Sequence, residues 1–269
     1  MSSGISEPER VATVTSAPPD TKRSAYTGRL AVVMFGSPGS GKGTQSKFLV
    51  DWLRIPQIST GDMLREHIRR GTEVGKAIEA RMRAGSLVSD ELVNQLVYER
   101  IHQSDCDRGF ILDGYPRTPA QAQEMMRLLG SVGAREVVIH LVVDYNVIIA
   151  RMTGRRVCPV CGTLYNAISR PPRVEGVCDL DGEVLGIRED DREDVVRERL
   201  TQYEASTRPL IEFFRKSSER LFEVDASQDR PETVFGKIQD ALASLLDRDP
   251  VQLSGSAMAG MVTDGARAR

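Results

Sequence analysis

The sequence predicts an α/β fold in which a parallel sheet of five strands is covered on both faces by helices. Two observations carry that expectation. Five short apolar or β-branched runs alternate with longer helix-like segments, as βαβ units require, and a glycine-rich stretch follows the first run directly. At 269 residues, 40% of them hydrophobic and 28% charged, the chain can bury a substantial core in one domain with insertions.

Taken in order, the runs are "LAVVMF" (30–35), "PQIS" (56–59), "GFILD" (109–113), "EVVIHLVV" (136–143) and "RLFEV" (220–224). In such a sheet functional groups gather at the carboxyl ends of the strands. Gly36, Ser59, Asp113 and Asp144 all fall there. The first run leads into "GSPGSGKGT" (36–44) and then the helical pattern "KGTQSKFLVDWL". A strand, a glycine-rich turn and a helix start place backbone N–H groups and a helix dipole around an anion, with Lys42 adding a positive charge. That context predicts a phosphate-binding loop. Gly43 stands directly after the lysine and the hydroxyl arrives one residue later, at Thr44, a departure from the general pattern.

Residues 154–191 break the alternation, being rich in Cys, Gly, Pro and Arg with few apolar runs. They predict a small inserted subdomain with little core of its own. Cys158-x2-Cys161, sixteen residues, then Cys178-x2-Asp181 forms two ligand pairs at the spacing of a closed tetrahedral zinc site. Asp181 would put a hard oxygen among soft sulfurs, which zinc accepts. Thiols packed without metal, or a disulfide formed on oxidation, are the competing readings. Cys106 stands apart and reads as an ordinary partly buried thiol. Residues 1–28 and 249–269 lack sustained periodicity and are expected to be disordered extensions.

The formal charge of −2 gives no overall pull toward nucleic acid or anionic lipid, so a basic site has to be local. No apolar stretch approaches the roughly 20 residues that span a bilayer, and no secretion signal opens the chain. Glu7, Glu9 and Asp20 argue against a transit peptide. These features predict a cytoplasmic protein.

Taken together, "GSPGSGKGTQ", "PQISTGDMLR" (56–65), "GSLVSDELV" (85–93), "GFILDGYPRT" (109–118) and "TGRRVCPVCG" (153–162) resemble, in order and spacing, the adenylate kinase family over about residues 30–245. The cysteine pairs resemble the metal-bearing lid of one bacterial branch of it. The resemblance implies a P-loop kinase fold at 29–248, with an AMP-binding helical insertion at 59–88 and a zinc-bearing lid at 154–191. The implied reaction is ATP + AMP ⇌ 2 ADP with magnesium, in a monomer binding neither nucleic acid nor membrane.

Site residues follow by the same resemblance. Gly39, Ser40, Gly41, Lys42, Gly43 and Thr44 would hold the donor phosphates, with Arg151, Arg155, Leu164, Tyr165 and Gln228 completing the ATP side. Thr60, Arg65, Ser86, Leu87, Val88, Gly114, Tyr115, Pro116, Arg117, Gln121, Arg188 and Arg199 would receive AMP, Gln121 at the adenine edge. Asp113, ending an apolar strand, suits a magnesium ion that takes few protein oxygens. The arginines suit phosphoryl transfer, where planar cations neutralise crowded phosphate oxygens. A helix N-cap role for Thr60 or Asp62, and a structural ion pair for Arg117, are the plainer alternatives. A kinase for another monophosphate or with GTP as donor, a hydrolytic nucleotide switch, and a nucleic-acid-binding zinc module are the competing functions; the near absence of aromatic platforms in 154–191 apart from Tyr165 argues against the last.

Overall fold

The computed structural model describes residues 29–167, 170–218, 220–228 and 230–246. The extensions expected at 1–28 and 249–269 lie outside the described residues. Strands β1 (Arg29–Gly36), β2 (Gln57–Ser59), β3 (Gly109–Asp113), β4 (Ala134–Val142) and β7 (Leu221–Asp225) form one parallel sheet in the order β2-β3-β1-β4-β7. All five expected runs are strands of this sheet, with β4 starting two residues earlier than the apolar run suggests. Ala134 and Arg135 lengthen β4 because it pairs β1 along β1's whole length, from Arg29 opposite Ala134 to Gly36 opposite Leu141.

β1 is central because it is apolar on both faces. Ala31, Val33 and Phe35 pack with Phe110, Leu112 and Val138, and with Met125 and Leu129 of α5 (Pro119–Ser131) and Phe214 of α8 (Leu210–Ser217). Val32 and Met34 point the other way and are equally buried. On that side α1 (Lys42–Leu53) meets α9 (Pro231–Leu246), with Phe48 and Trp52 both against the Phe235 ring.

Register sets what the sheet edge presents. Ser59, Asp113 and Met34 share one row, so the turns after β1, β2 and β3 leave the sheet side by side. Between β2 and α4 (Asp90–Ile101) the chain inserts α2 (Thr60–Arg69) and α3 (Glu73–Arg83). After α6 (Tyr145–Thr153) it inserts the antiparallel pair β5 (Arg155–Val157) and β6 (Leu164–Asn166), two short strands that composition did not announce. They stand in the cysteine-bearing segment, before α7 (Glu193–Gln202).

The α2–α3 corner depends on a missing side chain. Thr72 caps α3 by accepting from the Gly75 N–H (3.0 Å) while its own N–H donates to the His67 carbonyl at the end of α2 (3.2 Å). A Cβ on Gly75 would fall inside contact distance of that carbonyl. Gly75→Ala is therefore expected to lower stability by about 1–3 kcal/mol through backbone displacement, measured by denaturant unfolding against wild type.

Candidate active site

A cleft of about 620 Å³ opens at the carboxyl ends of the sheet, floored by the glycine-rich turn and walled by both insertions. Gly41 sits at φ 100°, a conformation that glycine adopts freely, and directly precedes α1 with no side chain capping the helix. An uncapped helix start leaves N–H groups and the positive dipole end for an anion. A Cβ added at Gly41 would meet nothing within 4 Å, so its backbone conformation and not crowding requires glycine there. Lys42 Nζ donates to the carbonyls of Gly36 and Ser37, both at 2.8 Å, which holds the ammonium over the mouth of its own loop. Gly39, Gly43 and Thr44 also line the cleft; Ser40 lies beneath it, with a buried hydroxyl that has no partner.

Asp113, at the tip of β3, accepts from Gln57 Nε2 of β2 (2.9 Å). Burial pushes its carboxyl up while Lys42 opposes the shift. The Asp113 carboxylate stands beside the phosphate loop and Lys42, which is a fit for a magnesium ion held through water and ligand phosphates. The turn that follows is tied to α2 by Thr60, whose hydroxyl donates to the Gly114 carbonyl (2.9 Å). Arg117 Nε donates to the same carbonyl (2.8 Å). Burial, then Arg199, pulls the Arg117 guanidinium down to about 10, with Asp113 opposing.

Arginines from four parts of the chain converge on this cleft, and carboxylates hold them. Arg65 of α2 pairs with Asp62 (2.6 Å) and reaches Asp190 (3.6 Å), and Arg188 also reaches Asp62 (3.6 Å). Arg199 of α7 pairs with Asp190 (3.0 Å) and Asp191 (3.3 Å), and Arg155 of β5 reaches Asp191 (3.3 Å). Burial pushes Asp191 up, whereas Arg199 and Arg65 hold Asp190 down against its own burial. Asp190 and Asp191 were not singled out from sequence, although the run "REDD" (188–191), acidic beside an arginine, was the available signal; Asp62 was considered only as a helix cap.

Several expected residues take other places. Gln121 is 2% exposed and off the cleft wall; its Oε1 accepts from the Arg117 N–H (2.8 Å) and its Nε2 donates to Asp90 (2.7 Å). Tyr115 is buried and donates to Asn94 Oδ1 (2.8 Å), and neither it nor Pro116 lines the cleft. Leu87 lines it, whereas the Ser86 N–H donates to the Arg81 carbonyl and Val88 packs into the core. Ser59, not Thr60 or Asp62, caps α2. Arg151 faces the cleft but donates to the carbonyls of Ala226 (2.8 Å) and Ser227 (3.2 Å), next to Gln228, which lines the same end. Leu164 and Tyr165 line it too, with the Tyr165 hydroxyl engaged by the Asp179 N–H (2.8 Å).

Outside the cleft wall, Cys158, Cys161, Cys178 and Asp181 bring one ligand atom each to within 4.8 Å of the others. Cys161 and Cys178 sulfurs are 3.6 Å apart. A tetrahedron with bonds of about 2.3 Å has edges of about 3.8 Å, so this donor set fits a closed structural metal site. Cys158, Cys178, Tyr165 and Leu185 form the small core of the segment.

Lys42 is the group whose charge the cleft perturbs within reach of experiment. Burial, joined by Arg117, Arg199 and Arg155 and opposed by Asp113, lowers its pKa from 10.5 to about 8. Between these values the unfolded chain holds the proton and the folded one releases it, so this residue's contribution makes stability rise with pH in that window while the anion site loses charge. A bound polyphosphate restores the proton. Proton uptake on nucleotide binding is expected above pH 8, read from the buffer dependence of the calorimetric heat. The uptake should vanish in Lys42→Arg, which stays charged.

The family model described as adenylate kinase matches residues 34–219. An adenylate kinase of Thermosipho melanesiensis is 47% identical over 199 residues, covering 74% of this chain and 92% of the relative. One from Archaeoglobus fulgidus is 45% identical over 199 residues, 74% of this chain and 91% of its own. One from Thermoanaerobacter is 43% identical over 214 residues, 79% and 98%. With its glycine-rich loop, the Gly114–Arg117 turn and converging arginines in one cleft, the chain belongs to the adenylate kinase family.

Proposed function

We propose that this chain transfers the terminal phosphoryl group of MgATP directly to AMP, with the donor over the glycine-rich turn and the acceptor between α2, α3 and the Gly114–Arg117 turn. Reversible ATP:AMP phosphoryl transfer is the activity of the family to which it belongs. The observation that carries the assignment of roles is the convergence of Lys42, Arg65, Arg117, Arg155, Arg188 and Arg199 on one cleft at the sheet edge.

No side chain has to act as nucleophile. An AMP phosphate oxygen, ionised at neutral pH, attacks the γ-phosphorus of ATP; the bond from that phosphorus to the β-bridging oxygen breaks, and ADP forms on both sides. Asp113 would orient a magnesium ion arriving with the donor, which would supply charge neutralisation to the phosphates. Lys42 and the loop amides hold the donor phosphates, while Arg117 and Arg65 hold the acceptor phosphate. Arg155, Arg188 and Arg199 neutralise the oxygens between them. Phosphates entering the cleft take over from Asp62, Asp190 and Asp191 the task of separating like-charged guanidinium groups.

Water competes with AMP as acceptor, so residues 59–88 and 154–191 close over the nucleotides before transfer, a gating for which adenylate kinase lids are a known case. Cys158, Cys161, Cys178 and Asp181 would hold zinc, which would keep the second segment a rigid body. In Gln121 the amide acts on AMP through Arg117 unless it releases its partners to meet the base. No helix among the described residues is long and apolar enough to cross a membrane; the proposed setting is a cytoplasmic monomer.

A coupled assay with ATP, AMP and magnesium tests the roles. Arg117→Ala is expected to slow ADP formation by about 100- to 1,000-fold, and Lys42→Ala at least as much, both in variants that still unfold cooperatively. Wild-type rates in either variant would reject the assignment. For the metal, chelation or Cys161→Ser should lower the melting temperature by more than about 5 °C, since each kcal/mol is worth about 2–4 °C at this size. An unchanged melt and unchanged activity would reject structural zinc.

A further inference from the structure

We infer that Thr207 is a positioning residue for the acceptor-side arginine: its hydroxyl, delivered by a π-helical turn, fixes the backbone of Arg117. The inference rests on the reading that Arg117 takes the acceptor phosphate. α7 does not run straight into α8; residues Tyr203–Thr207 form a π-helix, closed by the Arg208 N–H on the Tyr203 carbonyl (2.8 Å). A π turn holds one residue more than an α turn, and such turns recur at functional sites. Without the extra residue Thr207 would be carried roughly 100° round the helix axis.

Both ends of the turn are anchored. Tyr203 is buried with its ring 6.3 Å from that of Phe35 on the central strand. Thr207, 7% exposed and on the cleft wall, donates its hydroxyl proton to the Arg117 carbonyl at 2.9 Å, across 90 residues of sequence. Arg117 is thereby held at three points: its N–H by Gln121, its carbonyl by Thr207 and its Nε by Gly114. The Thr207 contact is the one that comes from the α7 side. α7 also carries Arg199, so a single helical element sets the separation of two guanidinium groups that repel each other. Losing the hydroxyl leaves the Arg117 carbonyl without this donor and frees the turn to shift under that repulsion.

The test compares Thr207→Val, which keeps the shape without the hydroxyl, with Thr207→Ser, which keeps the hydroxyl. Steady-state KM values for AMP and ATP, melting temperature and calorimetric AMP binding are measured, the last also in an Arg117→Ala background. Thr207→Val is expected to raise KM for AMP roughly three- to tenfold, the worth of one hydrogen bond, with KM for ATP changed less than about twofold. Thr207→Ser should restore the wild-type value, and in Arg117→Ala the valine should have no further effect on AMP binding. Equal shifts in both KM values, no shift, failure of serine to restore, or the same loss with and without Arg117 would overturn the inference. If the valine variant does not melt cooperatively, Thr207→Ala is read by the same criteria. Undiminished AMP binding in Arg117→Ala would overturn the placement of Arg117 and this inference with it. Weakened binding there with a silent Thr207→Val overturns the inference alone.

Discussion

Mutual repulsion among clustered cations is the constraint on which the rest of the site depends. Arg117 and Lys42 are driven below their ordinary pKa values by burial and by neighbouring guanidinium groups, and without compensation such a cluster would swing its side chains into solvent. The protein answers it in two ways. Carboxylates of Asp62, Asp190 and Asp191 separate the arginines that come from the insertions. Backbone carbonyls of the rigid frame take Lys42, Arg117 and Arg151. Carbonyl acceptors fix a cation without cancelling its charge, so the groups nearest the transfer path stay electropositive toward phosphate.

Sheet order is what lets the frame do this. With β1 between β3 and β4, the phosphate loop and the Asp113 turn leave neighbouring strands in adjacent rows, and the β7–α9 connection comes back beside the donor end. The two insertions leave from the same edge and return their arginines to it. Cleft walls are therefore built from segments with small cores of their own, while the floor is continuous with the buried strands of the sheet. That division suits an enzyme whose walls move and whose floor does not.

Much of this was legible in the residues. The five apolar runs became the five strands, the glycine-rich turn and its helix fell where strand–turn–helix chemistry requires, and the cysteine pairs and Asp181 converge as their spacing suggests. Less legible are the positions where a side chain has two chemically reasonable partners. Gln121 was assigned to the adenine edge, but an amide beside the Arg117 N–H and Asp90 satisfies both of its ends internally. Arg151 was assigned to ATP, and the β7–α9 carbonyls are nearer competitors for its guanidinium. Nothing local to Asp190 and Asp191 says that Arg155 and Arg199 will face them.

By itself the sequence determined the alternation of strands and helices, the glycine-rich turn before a helix, and the cluster of three cysteines with Asp181, because each of these is encoded by spacing within one short segment. Only the tertiary structure decided which carboxylate faces which arginine, where the Gln121 amide points, and that Thr207 reaches Arg117 across 90 residues. Those pairings are set by strand order, by helix phase through the π turn, and by competition among polar groups of similar strength, none of which is carried by neighbouring residues along the chain.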